Sequence, residues 1–257
     1  MSAIDALAHS LLAAADAPTP HERPLVSDRS LTPAEGREIQ ARQLALRQAR
    51  GETVVGVKLG LTTPEQRKQA EHFRPSVGFL TDHMVLDRHL PAHASIAPRV
   101  EPELVARVGR QLDPGSDRSE IRAAIGSVHA GIEVVDPRYP DEAFILADAL
   151  ADNSSARGFV VSDVGVDPEG IDLAAETVSF QVGQNEPRQG HGAVVMGNPW
   201  TVILEVLEDL LAEEMTIPEG FVIFTGNLVG QALAVAPGDT VLAQFSSLGQ
   251  LRVDVVD

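Results

Sequence analysis

The sequence contains no cysteine and only two lysines, Lys58 and Lys68, against eighteen arginines. The absence of cysteine excludes disulfides, thiolate nucleophiles and thiolate metal ligands, so any nucleophile has to be oxygen or nitrogen. Because lysine is used so rarely, a lysine placed inside an apolar run is a candidate functional residue. Lys58 lies in such a run, between Val57 and Leu59.

Long apolar runs are also absent. No stretch of eighteen apolar residues occurs, and the first residues lack the basic region of a signal peptide, so we expect a cytoplasmic protein. The formal net charge of −17 repels phosphate backbones and anionic membranes, which predicts neither a nucleic-acid nor a membrane partner. The histidines have no metal-ligand spacing, and neither a Gly-x-Gly-x-x-Gly motif after a strand nor a Gly-x-Ser-x-Gly elbow is present. Nucleotide cofactors and serine-hydrolase chemistry are therefore not supported.

The first fifty residues have helical patterns. Residues 3–16 read as an amphipathic helix, and Pro18, Pro20 and Pro24 indicate an extended connector. A second helix has Thr32 as its N-cap with Glu35 completing a capping box, and it ends before Gly51. We predict a helical N-terminal cap over residues 1–52 and a β-rich part over residues 53–257.

The β-rich part alternates short strands and helices. The patterns predict strands at 54–61, 158–161, 221–224, 240–245 and 250–256, a hairpin of 178–182 with 192–196, and helices at 120–129, 141–150 and 198–215, with a short helix from residue 63. A chain of this length can form one large domain or a small domain with a larger one.

Two glutamates one residue apart, Glu101 and Glu103, interrupt an apolar run that has the pattern of a strand. In a strand, side chains at i and i+2 share a face, so both carboxylates point the same way, roughly 7 Å apart. Like charges so placed repel unless something positive lies between them. The alternative is a solvent-facing polar row on an edge strand, because Pro102 cannot donate to a ladder.

A third carboxylate has a similar setting. Glu133 lies in the middle of the short β-branched run 130–135. Three carboxylates on neighbouring strands form a site of hard oxygen ligands, which suits Mg²⁺ or Mn²⁺. The hypothesis is therefore a divalent metal held by Glu101, Glu103 and Glu133.

Six segments, taken in order, resemble the 2-oxo-4-pentenoate hydratase and 4-oxalocrotonate decarboxylase family of the fumarylacetoacetate hydrolase-like superfamily. The segments are Gly56-Val57-Lys58-Leu59-Gly60-Leu61-Thr62, Glu101-Pro102-Glu103, Glu133-Val134-Val135-Asp136-Pro137-Arg138, Ala151-Asp152-Asn153-Ser154-Ser155, Met196-Gly197-Asn198-Pro199 and Val235-Ala236-Pro237-Gly238-Asp239. The resemblance covers roughly residues 30–256.

The resemblance implies an α+β fold with a β-rich rolled mixed sheet of the fumarylacetoacetate hydrolase type, flanking helices and a helical N-terminal part, with the catalytic domain at 53–257. It implies Mg²⁺ or Mn²⁺ on the acids matching Glu101, Glu103 and Glu133. Family substrates are small 2-oxo or 2-hydroxydienoic acids from aromatic ring cleavage, and the proteins commonly form homo-oligomers.

Two positions depart from the family pattern. Hydratases of the family usually carry an acid where this chain has Ser76, so a water-activating carboxylate is missing. Decarboxylases carry an arginine at the place of Gly158, whereas this chain has its arginine one position earlier, at Arg157. The segment 136–139 is closer to decarboxylases, so both activities stay open.

The candidate catalytic residues are Lys58, Asp82 and Ser155. Lys58 can offset the carboxylates, bind the substrate carboxylate, or transfer a proton if burial lowers its pKa. Asp82 is a candidate proton-relay acid, with a loop residue bonded to its own backbone as the alternative. Substrate contacts are expected from Leu61, Ser76, Asn153, Arg138 and Thr225, although the segment around Asn153 also suits an ordinary turn.

The leading functional hypothesis is a metal-dependent lyase, most simply a hydratase of 2-hydroxypenta-2,4-dienoate (2-oxo-4-pentenoate) that gives a 4-hydroxy-2-oxo acid. The alternatives are 4-oxalocrotonate decarboxylation, hydrolysis of an acylpyruvate-type carbon–carbon bond, and a catalytically silent paralogue that binds a metabolite or a sister enzyme. Chelation of a 2-oxo acid by the metal is required for hydration and for decarboxylation, so the metal site does not distinguish the two activities.

Overall fold

The computed structural model describes residues 2–18, 25–26, 29–72, 74–139 and 145–257. Within these ranges the helices are α1 (Ala3–Asp16), α2 (Pro33–Ala49), α3 (Pro64–Gln69), α4 (Arg118–Ala124), α5 (Leu146–Ala151) and α6 (Trp200–Ala212). The capping box of Thr32 and Glu35 is present at the start of α2, as the sequence predicts. Each described helix is too short or too polar to cross a bilayer.

A seven-stranded mixed sheet carries the residues of interest. It contains β3 (Val54–Gly60), β4 (Ser76–Thr81), β6 (Arg99–Val108), β7 (Ile125–Val135), β8 (Ala156–Val166), β11 (Val222–Phe224) and β12 (Leu233–Ala234). The strand order is β4-β3-β11-β6-β7-β8, and β12 also pairs with β6. β11 runs parallel to β3, whereas its pairing with β6 is antiparallel.

A second, five-stranded sheet has the order β10-β9-β13-β14-β5. Its strands are β5 (His89–Pro91), β9 (Thr177–Val182), β10 (Arg188–His191), β13 (Thr240–Phe245) and β14 (Gln250–Val256). Two short strands near the N-terminus, β1 (Leu25–Val26) and β2 (Arg29–Ser30), pair with each other. The expected mixed β-rich fold with flanking helices is confirmed.

The two larger sheets share one hydrophobic core. Val57 and Leu104 of the seven-stranded sheet belong to the same buried cluster as Phe180 and Val253 of the five-stranded sheet. Because side chains alternate along a strand, burying these residues leaves their neighbours on the opposite face of the seven-stranded sheet. Lys58, between Val57 and Leu59, is one of these neighbours.

The N-terminal helices pack against α5 through a separate apolar cluster that includes Ala8, Leu11, Ile39 and Ala147. A Cβ atom on Gly36 would lie 2.4 Å from the carbonyl oxygen of Ala147, so glycine permits this close approach. α5 leads directly into the turn at 153–155, and the helical layer therefore sets the position of that turn. The boundary expected after residue 52 stays a prediction.

Several predicted elements differ from those observed. The helix predicted at 120–129 ends at Ala124, because Ile125–Val135 forms β7, paired on both sides. The strand predicted at 192–196 is wrong: β9 pairs with Arg188–His191, and residues 192–194 form a 3₁₀ turn. Residues 141–144 of the helix predicted at 141–150 lie outside the described residues, and the remainder is observed as α5. Pro20 and Pro24 also lie outside the described residues.

Candidate active site

Glu101, Glu103 and Glu133 lie together on one face of the seven-stranded sheet. Glu101 is the direct register partner of Glu133 across β6 and β7. Each of the three carboxylates offers an oxygen, and these oxygens lie within 4.8 Å of one another. The geometry thus gathers the three acids that the sequence singles out.

The edge-strand alternative for this stretch is wrong. β6 lies inside the sheet between β11 and β7, and the side chains of Glu103 and Glu133 are fully buried. The Pro102 carbonyl oxygen accepts a hydrogen bond from the Leu228 amide at 3.1 Å. Because the N and O atoms of a strand residue face the same neighbour, the N–H that proline lacks would also point to this loop and not to the β7 ladder, so Pro102 is tolerated.

Burial leaves the acid cluster short of partners. Glu103 Oε2 accepts a hydrogen bond from the Gly226 amide at 2.7 Å, and Glu101 Oε1 accepts one from Asn227 Nδ2 at 3.1 Å. Glu103 Oε1 and Glu133 Oε2 have no hydrogen-bond partner in the described part of the chain. Unpaired buried carboxylate oxygens are costly, and a hard divalent cation would satisfy them. The donor set therefore fits such an ion.

The environment shifts the protonation of these acids. Burial raises the pKa of Glu133 to about 7, even though the nearby ammonium of Lys58 lowers it. Burial also raises the pKa of Glu103 well above its ordinary value, and repulsion from Glu133 and Glu101 adds to this effect. Without a cation, the cluster favours retaining protons near neutral pH.

Lys58 is buried at the edge of the cluster. Its Nζ atom lies 3.1 Å from Glu133 Oε1 and donates a hydrogen bond to the Ser154 carbonyl oxygen at 2.8 Å. Burial alone would lower the pKa of Lys58, but attraction to Glu133, Glu101 and Glu103 raises it above the ordinary value. In the metal-free protein, the condition under which Lys58 would transfer a proton, a pKa lowered by burial, is therefore not met.

The turn that receives the Lys58 hydrogen bond has an unusual backbone. Asn153, Ser154 and Ser155 have φ angles of 52°, 50° and 59°, so three consecutive residues other than glycine adopt the left-handed conformation. Such conformations cost free energy and persist where the surroundings enforce them, commonly at functional sites. Here the turn directs the Ser154 carbonyl toward Lys58.

The side chain of Asn153 holds this turn in place. Its Oδ1 accepts hydrogen bonds from Gln40 Nε2 and from the Phe79 amide, both at 2.9 Å, and its Nδ2 donates to the Phe79 carbonyl oxygen. The side-chain amide of Asn153 is therefore hydrogen-bonded to other protein groups. The substrate-binding role expected for Asn153 is therefore corrected to a structural one.

Two cavities meet beside Lys58. The first, of about 310 Å³, has the polar residues Glu101, Arg99, Thr62 and Asn227 in its lining. The second, of about 620 Å³, is more apolar; its lining includes Leu61, Ser76, Ala70, Glu71, Ile145, Leu146 and Ala149. Lys58, Gly60, Gln66, Ser154 and Ser155 line both. Leu61, Ser76 and Ser155 therefore lie where a substrate could bind.

Three candidates lie elsewhere. Asp82 is exposed, and its Oδ1 accepts hydrogen bonds from the backbone amides of Thr53 and His83. Thr225 is fully buried, and its hydroxyl donates to the Leu104 carbonyl oxygen. Arg138 is buried in an ion pair with Asp152 and lines a separate cavity. None of the three lines the two cavities beside Lys58, because each is bonded to its own surroundings.

Sequence reasoning missed four polar residues of the first cavity: Thr62, Gln66, Arg99 and Asn227. Gln66 was visible only as part of a helix-capping signal, and its Oε1 does accept bonds from the amides of Thr62 and Thr63. Asn227 lies in a loop between Gly226 and Gly230 that does not match a phosphate-binding motif, so the sequence gave no reason to select it. Arg99, two residues before Glu101 in the same strand, could have been found from the alternation of side chains.

A mixed β-fold with buried carboxylates and a lysine beside two cavities defines a candidate metal-dependent enzyme. The chain belongs to the fumarylacetoacetate (FAA) hydrolase C-terminal family, whose model matches residues 53–256. The resemblance inferred from the sequence is thereby confirmed.

Relatives with two different activities are similar to this chain over most of its length. A 4-oxalocrotonate decarboxylase of Pseudomonas putida is 31% identical over 214 residues, covering 82% of this chain and 80% of its own. A 2-hydroxyhexa-2,4-dienoate hydratase of Comamonas testosteroni is 31% identical over 232 residues, covering 88% of each chain. The solved 4-oxalocrotonate decarboxylase from Pseudomonas putida G7, complexed with magnesium and adipate, superposes with a TM-score of 0.90 at 28% identity, covering 98% of this chain and 97% of that chain.

Proposed function

We propose that this protein is a metal-dependent lyase that hydrates 2-hydroxypenta-2,4-dienoate, or a near homologue, to a 4-hydroxy-2-oxo acid. The observation that carries the proposal is the buried group of Glu101, Glu103 and Glu133 next to Lys58 and two cavities. These three acids would hold Mg²⁺ or Mn²⁺. When bound, the ion supplies positive charge to the carboxylate and 2-oxo oxygens of a chelating substrate.

Lys58 and Ser155 are the groups available to the substrate. Lys58 Nζ has three N–H donors, of which one faces Glu133 and one binds the Ser154 carbonyl oxygen, so the third can reach the cavity. It can bind substrate oxygen or hand over a proton. Ser155 Oγ donates to Asp152 Oδ2 at 2.9 Å, and its lone pairs can accept a hydrogen bond from substrate or water.

The second cavity favours hydration over decarboxylation. Two charged residues are in its described lining. One is Lys58, which lies beside the proposed metal ligands, and the other is the acid Glu71. An uncharged tail fits beside Leu146 and Ala149, whereas the second carboxylate of an enedioate would meet apolar carbon and a like charge. The hydratase relatives support the same substrate class.

Decarboxylation of 4-oxalocrotonate is the second candidate. Arg99 lines the first cavity and could hold a second carboxylate if the substrate extended in that direction. The similarity to the solved decarboxylase supports this candidate as well. The same test also covers acylpyruvate-type hydrolysis and a catalytically silent, metabolite-binding role. The silent role is favoured by Ser76, which stands where hydratases of the family usually carry an acid.

The test is to supply the magnesium-loaded protein with the dienoate, the enedioate and an acylpyruvate in separate reactions, while following ultraviolet absorbance and identifying products by mass. Hydration of the dienoate to a product heavier by one water supports the proposal. Loss of carbon dioxide from the enedioate with no hydration assigns the decarboxylase, and cleavage of an acylpyruvate assigns the hydrolase. If the metal-loaded protein turns over none of these three substrates, the remaining interpretation is a catalytically silent, metabolite-binding protein.

A cytoplasmic location and a homo-oligomeric state belong to the same proposal. Family resemblance supports the oligomer, and the small-molecule substrate class is consistent with both expectations. Cell fractionation and light scattering of the purified protein measure the two directly.

A further inference from the structure

A third cavity, of about 340 Å³, lies apart from the candidate active site. It shares no lining residue with the two cavities beside Lys58. The C-terminal ends of α1 and α2, the 3₁₀ turn at 82–84 and the start of β8 surround it. Four arginines line it, Arg47, Arg50, Arg138 and Arg157, together with two acids, Asp16 and Glu52. In a chain of net charge −17 this concentration of positive charge is a local exception.

The two acids, Asp16 and Glu52, already form ion pairs with two of the four arginines. Arg47 Nη1 lies 3.2 Å from Glu52 Oε2, and Arg50 forms an ion pair with Asp16. Glu52 also accepts a hydrogen bond from the Thr81 hydroxyl. Neither acid is therefore left to neutralise Arg138 or Arg157.

Arg157 has no carboxylate partner among the described residues. Its Nε and Nη2 atoms both donate to one acceptor, the Ala94 carbonyl oxygen, at 3.0 and 2.7 Å. The two hydrogens of Nη1 have no partner in the same part of the chain. Burial lowers the pKa of Arg157, and the neighbouring charge of Arg138 lowers it further. A half-buried guanidinium beside a second one favours an anion with several oxygens.

Arg138 connects this cavity to the active site. Its Nε lies 3.4 Å from Asp152 Oδ1, a long ion pair, and that oxygen has no hydrogen-bond partner among the described residues. Asp152 Oδ2 accepts the hydroxyl of Ser155, which lines both cavities beside Lys58. The Nη atoms of Arg138 donate to the backbone carbonyl oxygens of Asp136, Asp152 and Ala156, so Arg138 acts on the cavity mainly through its charge. An anion that drew this charge away from Asp152 would weaken the long ion pair and, through it, the position of Ser155.

We propose that the third cavity is a binding site for a small oxyanion, held by Arg157 and Arg138, and that its occupancy is linked to the active site through Asp152 and Ser155. The shared ligand chemistry is a phosphate or carboxylate group. The binding part does not depend on which reaction the enzyme catalyses, so it can be tested without turnover.

The binding test is calorimetric titration of the metal-free full-length protein with inorganic phosphate and, separately, with succinate, at constant ionic strength set by sodium chloride. Saturable one-to-one binding of either is expected. Arg157→Gln removes charge-assisted hydrogen bonds and should weaken that binding at least about tenfold, whereas Arg157→Lys should restore part of it. Arg88→Gln, which removes an exposed arginine paired with Asp163, is the matched control and should bind as wild type.

Circular dichroism of each variant separates lost binding from lost fold. No saturable binding of phosphate or succinate, or equal affinity in wild type and a folded Arg157→Gln, would overturn the oxyanion site. The preference between the two anions assigns the ligand class.

The link is tested by reciprocity. If the two sites are coupled, saturating magnesium with oxalate, as a mimic of a 2-oxo acid, must change the affinity for the third-cavity anion by the same factor as that anion changes the affinity for oxalate. We expect a change of about fivefold, at the low end of measured couplings. Affinities that are independent of one another would overturn the link through Asp152.

Discussion

Lys58 and Glu133 form a buried ion pair, with Nζ 3.1 Å from Oε1, inside a group that contains two more carboxylates. One ammonium cannot balance three carboxylates, so the group is complete only with further positive charge or bound protons. This imbalance favours a metal site over a structural ion pair, in agreement with the proposed function.

Removing one acid should weaken metal binding before it weakens the fold. Glu103→Gln keeps the shape of the side chain while deleting a charged ligand, and it relieves repulsion in the metal-free cluster. We expect a folded protein whose magnesium affinity falls roughly 100-fold or more, beyond the effect of most supporting partners. Calorimetry measures this, with the exposed Glu219→Ala as control. Full affinity in Glu103→Gln would mean that the site lies elsewhere.

Metal affinity should depend on pH below neutrality. The pKa of Glu133 is raised from 4.5 to about 7, so between these values the metal-free folded protein holds a proton that the unfolded chain has lost. That group's contribution to stability therefore declines as pH rises through this window. Magnesium has to displace the proton, so its affinity should rise with pH up to about 7 and then level off.

Calorimetry of magnesium binding at pH 6 in two buffers of different ionisation enthalpy counts the protons released. Release at pH 6 that disappears by pH 8 is the expected result. Equal affinity at both values would show that the cluster is already fully ionised without metal.

Restoring an acid at position 76 should change the product ratio. Ser76 is buried, lines the second cavity and pairs with Gly60 beside Lys58. Ser76→Asp would introduce a carboxylate able to activate water, so hydration should increase relative to decarboxylation. Ser76→Asn, similar in size but uncharged, is the control. An unchanged ratio of products, measured by mass spectrometry, would remove residue 76 from the chemistry.

The sequence was sufficient to predict that the three acids lie together because their relationship is local. Glu101 and Glu103 share a face through the two-residue repeat of a strand, and Glu133 lies in the next strand along the chain. Lys58 could be identified from composition alone, because the chain contains only two lysines. The residue pattern also predicts β11, β13 and β14 but not the short β12. The helix predicted at 120–129 failed because residues 125–135 pair on both sides with distant strands.

Other assignments failed because they depend on distant partners. Thr225 bonds to Leu104, 121 residues away, and Asn153 bonds to Phe79, 74 residues away. A polar residue in a family-like segment can face a cavity or an internal acceptor, and local pattern does not distinguish the two. Arg138 shows the same effect, since its ion pair with Asp152 holds it where it lines the third cavity and not the two cavities beside Lys58.

The role of Lys58 is tested by substitutions that separate charge from proton transfer. Lys58→Arg keeps the positive charge, but a guanidinium does not give up its proton near neutral pH. Lys58→Met removes the charge and keeps the length.

If Lys58 transfers a proton, both variants should lower kcat by about 10²-fold or more with metal still bound, the usual scale for a general acid or base. If it only balances charge, Lys58→Arg should be nearly harmless and Lys58→Met should mainly raise KM, because uniform binding is then what is lost. We expect the first result. Turnover like that of the wild type in a folded Lys58→Arg, with magnesium bound at full stoichiometry, would assign Lys58 to charge balance alone.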